Sequence, residues 1–335
     1  MKTYASCIDS AILNSTTLNT STSELGQLAK LLSSRVISEI FRLNNEFRSK
    51  KTVNFSSEIT VVWIDKIPLA KMHNALDYFG QPITQRVELG DALFIDINNS
   101  GNKRASAFLF QAKRAKSLKL PTVPVYMGCK ANNSSLKELA LLNKWPIFDL
   151  YQTSGSGKSE SKNIKIKYPS VPSPHGWFGV CPPSLTGHDW KAHWMCAAAQ
   201  HGEKFNLTMG ELLESFYLKN GLQVGCDYVP NSRGDSWQEL IEKILKIAGV
   251  YNTPSTYSYV YGENRVKTPL PFRLHNNGLI DIWVDNIFDK IHHNTNTIRI
   301  SSLTADNFKR KMPLIIYRSF GELKESDNLE ESSIE

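Results

Sequence analysis

The chain has 335 residues, 41% hydrophobic and 21% charged, with 39 Lys and Arg against 32 Asp and Glu for a net charge of +7. That composition suits an ordinary globular protein with room for a substantial core and two domains, and it excludes a low-complexity or fibrous chain. No run approaches the roughly 18 apolar residues of a membrane-spanning helix, and the opening MKTYASCIDS lacks the apolar stretch of a secretion signal. Cytoplasmic residence without a membrane partner is the expectation.

Residues 24–48 (ELGQLAKLLSSRVISEIFRLNNEFR) place Leu28, Leu31, Leu32, Val36, Ile40 and Leu43 at helical spacing behind a Thr22/Ser23 cap, which predicts one amphipathic helix. Of its carboxylates, Glu39 sits beside the apolar Val36 and Ile40 and within helical reach of Arg35 and Arg42, with which it would pair on the helix surface, and Glu46 lies further along. A β-branched strand is then predicted over Glu58–Ile64 and a helix over Leu69–Tyr78.

The stretch Val87–Lys116 (VELGDALFIDINNSGNKRASAFLFQAKRAK) reads as two strands around an Asn/Gly turn. Side chains alternate along a strand, so Asp91 shares a face with Val87, Leu89, Leu93 and Ile95, an otherwise apolar row. Gln111 and Lys113 share a face with Ala107 and Leu109, while Phe110, Ala112 and Arg114 point the other way. A turn centred on Gly101 sets Asp91 opposite Gln111 and Leu89 opposite Lys113. A buried Asp needs a compensating cation or donors. The spacing is therefore open to two readings: a metal ion held by Asp91 and the Gln111 amide oxygen, or a structural Asp91–Lys113 ion pair in a half-buried hairpin. Glu88 and Asp96 fall off this face, Glu88 as a partner for Arg86.

Further strands are predicted over Thr122–Met127 and Trp145–Leu150, with a helix over Leu136–Asn143 between them, an order that suits an α/β sheet flanked by helices. From Lys103 to Lys167, 13 Lys and Arg stand against three acids, a local balance of +10, so the rest of the chain is net acidic. Such a strip attracts a polyanion and releases counterions on contact with phosphates. Lys103, Arg104, Arg114, Lys116 and Lys119 are the candidate nucleic-acid backbone contacts. The Gly/Ser-rich Thr153–Asn163 is a linker or loop; its Gly-Ser-Gly-Lys-Ser is not a phosphate-binding loop, because Gln152 stands where the first Gly is required.

In the second half, Ser173–Gly179 and Cys181–Pro183 read as irregular, and Trp190–His201, Met209–Leu218 and Ser236–Ala248 as helices. Phe272–Asp289 reads as strand, Asn-Asn-Gly turn, then strand or helix. His188, His193, Cys196 and His201 are too unevenly spaced for a tight zinc set. The five cysteines (Cys7, Cys129, Cys181, Cys196, Cys226) are scattered and never in a C-x-x-C pair, so they are expected reduced and buried. The organisation predicted is a domain over 1–152, a linker over 153–165, a C-terminal domain over 166–321 for recognition or assembly, and a disordered acidic tail over 322–335.

Asp91 followed across the hairpin by Gln111-x-Lys113 resembles the PD-(D/E)xK nuclease superfamily, in the Q-x-K form similar to Mrr-type and phage-defence nucleases. The likeness spans 24–150 in pattern and 85–116 in wording, with Gly90 in place of the Pro that usually precedes the acid. It implies an α/β fold with a restriction-endonuclease-like mixed sheet flanked by helices, followed by a mainly helical or mixed C-terminal region. It also implies a further Glu from the helix before the core strands, here Glu39. Asp91, Gln111 and Glu39 would then hold Mg²⁺ or Mn²⁺, with Lys113 completing the catalytic set. The expected activity is metal-dependent hydrolysis of nucleic acid, DNA rather than RNA, in an anti-phage defence effector, with a protein partner or second copy on the C-terminal half. The alternative is a non-catalytic nucleic-acid-binding or complex-assembly subunit on a degenerate nuclease fold, in which Gln111 marks a weakened metal site.

Overall fold

Nine consecutive residues, 105–113, are buried. Because neighbouring side chains on a strand point to opposite faces, such a segment must be covered from both sides, and the chain builds a layer on each. The computed structural model describes residues 3–17, 24–65, 68–98, 104–126, 134–151, 157, 159–167, 172–228, 235–247, 272–275, 280–281 and 311–323.

In chain order, the first half runs α1 (Tyr4–Thr17), α2 (Glu24–Leu31), α3 (Ser34–Ser49), β1 (Thr52–Asp65), β2 (Leu69–Met72), β3 (Val87–Glu88), β4 (Ala92–Asn98), β5 (Arg104–Arg114), α4 (Ser134–Lys144) and β6 (Phe148–Tyr151). The second half adds β7 (Ser161–Ile164), β8 (Gly176–Cys181), β9 (Met195–Ala198), β10 (Leu207–Thr208), α5 (Met209–Leu218), β11 (Cys226–Tyr228), α6 (Ser236–Ile247), β12 (Phe272–His275), β13 (Ile280–Asp281) and β14 (Lys311–Leu323). The molecule is α/β, with a mixed sheet flanked by helices.

Among the described residues the main sheet has ten strands in the order β10-β9-β8-β5-β4-β14-β1-β12-β13, with β11 paired to the start of β5. β4 and β5 are antiparallel, whereas β4 with β14 and β5 with β8 are parallel. One face carries Phe94, Phe108 and Phe110, which pack with Ile8, Leu28, Val36, Ile40 and Phe216 of α1, α2, α3 and α5. The Phe94 and Phe108 rings stack at 4.9 Å, and Phe216 meets Phe108 edge-on at 4.7 Å. The other face carries Leu93, Ile95 and Leu109 against Leu139 and Leu142 of α4, Leu240 and Ile244 of α6, and a small sheet ordered β3-β2-β6-β7. Among the described residues no helix is long and apolar enough to cross a membrane.

Several expectations are corrected. The single helix over 24–48 is two, because Ser33 turns extended and its hydroxyl accepts from the Val36 amide, capping α3 afresh. Leu69–Tyr78 is not helical: β2 ends at Met72, Leu76 is exposed, and the Asp77 carboxylate accepts from the Phe79 and Gln81 amides in a turn. Within the described part of Thr122–Met127, Pro124 offers no amide, and Thr122 makes one isolated bridge to Lys204. The expected helix over 190–201 holds β9 instead, a strand buried on both faces whose apolar run carries no periodicity. The irregular segment over 173–183 holds β8, next to β5 in the sheet.

The domain division is corrected for the same reason. β8, β9 and β10 extend the sheet beyond β5, and β14 lies between β4 and β1, so the described strands within 166–321 build into the N-terminal sheet rather than standing apart. β7, inside the expected linker, pairs with β6. Of the acidic tail, Glu322 and Leu323 end β14, and the remainder lies outside the described residues. Cys181 and Cys196 are buried and Cys7 and Cys226 half-buried, all four unbridged; Cys129 lies outside the described residues.

Candidate active site

The pairing of β4 with β5 runs from Ala92↔Phe110 to Asn98↔Arg104. Continued by one residue, that register sets Asp91 opposite Gln111, and the Asp91 amide donates to the Phe110 carbonyl at 2.9 Å. Asp91, Gln111 and Lys113 are all buried. One Asp91 carboxylate oxygen accepts from the Ala112 amide at 2.8 Å and from the Gln111 side-chain amide. The Gln111 carbonyl oxygen is buried without a hydrogen-bond partner among the described residues, an uncommon condition for a native polar atom.

Lys113, two residues on along the same face, meets two carboxylates that sequence reasoning missed. Its Nζ lies 3.0 Å from Glu138 on α4 and 3.9 Å from Glu24 at the start of α2. Glu24 also accepts from the Arg114 amide at 3.1 Å, which ties the helix start to the end of β5. The available signals were that Glu24 opens the amphipathic helix and that Glu138 is one of three acids in a basic stretch. Neither distinguishes a buried carboxylate from an exposed one.

Burial raises the Asp91 carboxyl well above its ordinary range; Lys113 opposes this, while Glu24, Glu138 and Glu88 add to it. Burial by itself would lower Lys113, but Glu138, Asp91 and Glu24 together hold it above its ordinary value, so it is a fixed cation. Glu24 is raised by burial, with Lys113 and the Arg114 amide opposing.

The other sequence-predicted residues lie elsewhere. Glu39 is not among the partners of this cluster: on α3 it is hydrogen-bonded to Arg42 at 2.8 Å, and Glu46 takes the same guanidinium at 3.1 Å. Asp96 pairs with Arg48 at 2.6 Å on the opposite face of the sheet. Arg114 is anchored by donation to the Pro183 carbonyl at 2.6 Å. Lys116 lies 4.6 Å over the Tyr126 ring and Lys119 is exposed, both just past the end of β5. Arg104 is exposed at the other end of that strand, on the order of 30 Å from Lys113, and so cannot serve the same phosphate; Lys103 lies outside the described residues. His193 is buried against Gln27 at 2.8 Å, its imidazole pushed down to about 4 by burial. His201 stacks on Tyr78, and Cys196 packs on Met209.

Among the described residues no group of three or more His, Cys, Asp or Glu side chains is placed to hold a metal ion. Comparison of the chain with protein-family models, curated proteins and solved structures finds no match in any of the three.

Proposed function

We propose that this protein is a metal-dependent nuclease that hydrolyses phosphodiester bonds of nucleic acid, DNA rather than RNA, on a restriction-endonuclease-like sheet. One observation carries the reading: a buried carboxylate, Asp91, touches a buried amide, Gln111, whose carbonyl oxygen has no hydrogen-bond partner among the described residues, with Lys113 two residues on. When ionised, Asp91, Glu24 and Glu138 bring three negative charges against one positive on Lys113, leaving the cluster two positive charges short. Mg²⁺ or Mn²⁺ prefers oxygen donors and keeps much of its water, so the Asp91 carboxylate and Gln111 carbonyl fit such an ion, with Glu24 nearby as a further oxygen. Glu24, on the helix before the core strands, takes the place expected of Glu39.

The cation, when bound, supplies Lewis acidity to the scissile phosphate and acidifies a water. Lys113 stays protonated and therefore acts as a point charge rather than a base, offsetting negative charge that builds on the phosphorane. Glu138 holds that ammonium in position, and engagement of a phosphate exchanges part of this contact for one with substrate. Lys116 and Lys119 continue the positive track along the nucleic-acid backbone. An anti-phage defence effector is the setting that the Q-x-K resemblance favours.

The test is incubation of the purified chain with supercoiled plasmid, linear DNA and RNA, with Mg²⁺, Mn²⁺ or EDTA. Cleavage of DNA that needs metal and falls by at least about 100-fold in Lys113→Ala is expected, with circular dichroism confirming that the variant is folded. Cleavage indifferent to EDTA would overturn the proposal. A second reading, a non-catalytic nucleic-acid binder on the same fold, is favoured by the neutral Gln111 and by the hold of Glu138 on Lys113. Salt-sensitive binding without product in either metal selects it.

A further inference from the structure

At the other end of the β4–β5 pair lies a cavity of about 390 Å³. It is where β4 ends, β5 begins and the C-terminal ends of α3 and α5 converge. Arg48, Lys51, Arg104 and Lys219 line it together with two acids, Asp96 and Asp227, a net charge of +2.

The cations are arranged in two tiers. Arg48 is largely buried, and its guanidinium is fixed in advance: it donates to Asp96 at 2.6 Å, to the Ser319 hydroxyl at 2.8 Å and to the Tyr217 carbonyl at 3.1 Å, over the Tyr317 ring. Arg104 and Lys51 are exposed and make no ion pair among the described residues, and the Lys51 ammonium sits 5.3 Å over the Phe47 ring. Lys219 reaches Asp227 at 3.6 Å and the Ser106 hydroxyl.

One further observation points to a ligand: the Tyr217 hydroxyl, a hydrogen-bond donor, is buried with no partner among the described residues, and Tyr217 lines the cavity. Lys219 ends α5 at φ 55, in the left-handed region where Gly is the ordinary residue, and its ammonium also lies 4.9 Å over the Phe216 ring.

We propose that this cavity binds a small phosphorylated molecule of about mononucleotide size. The volume is that of a small-molecule site. Arg104, Lys51 and Lys219 take the phosphate, and the partly exposed Phe47 supplies an apolar wall for the organic part. The site lies at the far end of β5 from Lys113 and does not depend on the nuclease reading.

Calorimetric titration of the full chain with adenosine 5′-diphosphate at low ionic strength tests the proposal. Dissociation constants in the micromolar range are expected, about tenfold weaker in Arg104→Ala and in Lys219→Gly. Glycine adopts the left-handed backbone freely, so Lys219→Gly keeps or raises Tm, which separates lost binding from lost folding. Lys71→Ala, an exposed lysine on β2 outside both sites, keeps wild-type affinity. The proposal is overturned by an absence of binding up to about 1 mM, by equal affinity for adenosine, or by equal losses in Lys71→Ala. Tighter binding of an unphosphorylated single-stranded oligonucleotide through Arg104 and Lys219 also rejects it, in favour of a nucleic-acid track.

Discussion

Asp91 keeps its carboxylate in a place that disfavours charge, and that has a consequence for pH. With its carboxyl raised in the folded state, the native protein binds the Asp91 proton more tightly than the unfolded chain does. This contribution to stability therefore falls as pH rises from the ordinary carboxylate range through the raised native value, and stays low above it. Asp91→Asn keeps an acceptor for the Ala112 amide and removes the charge. It should raise Tm at neutral pH, with the gain shrinking as pH drops toward the ordinary carboxylate range; melting curves of both proteins across pH decide this, and a gain that grows on acidification contradicts the assignment. The same variant should lose cleavage, since the charge that burdens the fold is the one a cation would use.

Glu24 and Glu39 give a second contrast at this scale. Glu24 lies beside Lys113 and the Arg114 amide, whereas Glu39 makes a surface pair with Arg42 of a kind contributing about 0.3–0.5 kcal/mol. Glu24→Gln is expected to reduce metal-dependent cleavage at least about tenfold, and Glu39→Gln to leave rate and stability within error. Matched kinetics showing the reverse order would restore Glu39 as the helix acid.

Close backbone approach decides how the elements pack. Thr208 and Glu211 form a reciprocal capping box, and the Gly210 amide then donates to Asp9 of α1 at 2.9 Å. A Cβ at Gly210 would lie 2.2 Å from the Ala5 carbonyl oxygen, which is backbone and cannot swing aside. Gly210→Ala should cost about 3 kcal/mol, at the upper end of overpacking effects, read by urea unfolding; a loss below about 1 kcal/mol would mean that α1 and α5 separate easily. In β8, a Cβ at Gly179 would meet the Phe110 ring at 2.1 Å. That glycine suggests a turn in sequence and allows a flat strand contact in space.

For the whole molecule, the order of strands sets the limits of dissection. β14 pairs with both β1 and β4, and β8 covers the edge of β5 that carries Gln111 and Lys113. A fragment comprising residues 1–165 would leave those edges open and the surrounding apolar faces uncovered. It is expected to be unfolded or aggregated, with poor amide dispersion by NMR and rapid proteolysis; a monomeric, cooperatively melting fragment would instead support two independent domains.

The hairpin was legible from the amino-acid order alone, because strand alternation and a central Asn/Gly turn determine which residues face each other across β4 and β5. So were α4, α5 and α6, whose amphipathic or well-capped segments announce themselves locally. The strands at β8 and β9 were not, since burial on both faces erases periodicity and the glycines of β8 serve contacts with distant side chains. The acids around Lys113 were hidden for a related reason: Glu24 and Glu138 stand 89 and 25 residues from it in the chain. Which carboxylates share a buried cation is settled by the docking of α2 and α4 on the sheet. Local sequence determined the candidate strand pair and its register; only the long-range packing decided its electrostatic partners and enclosed it in a single sheet.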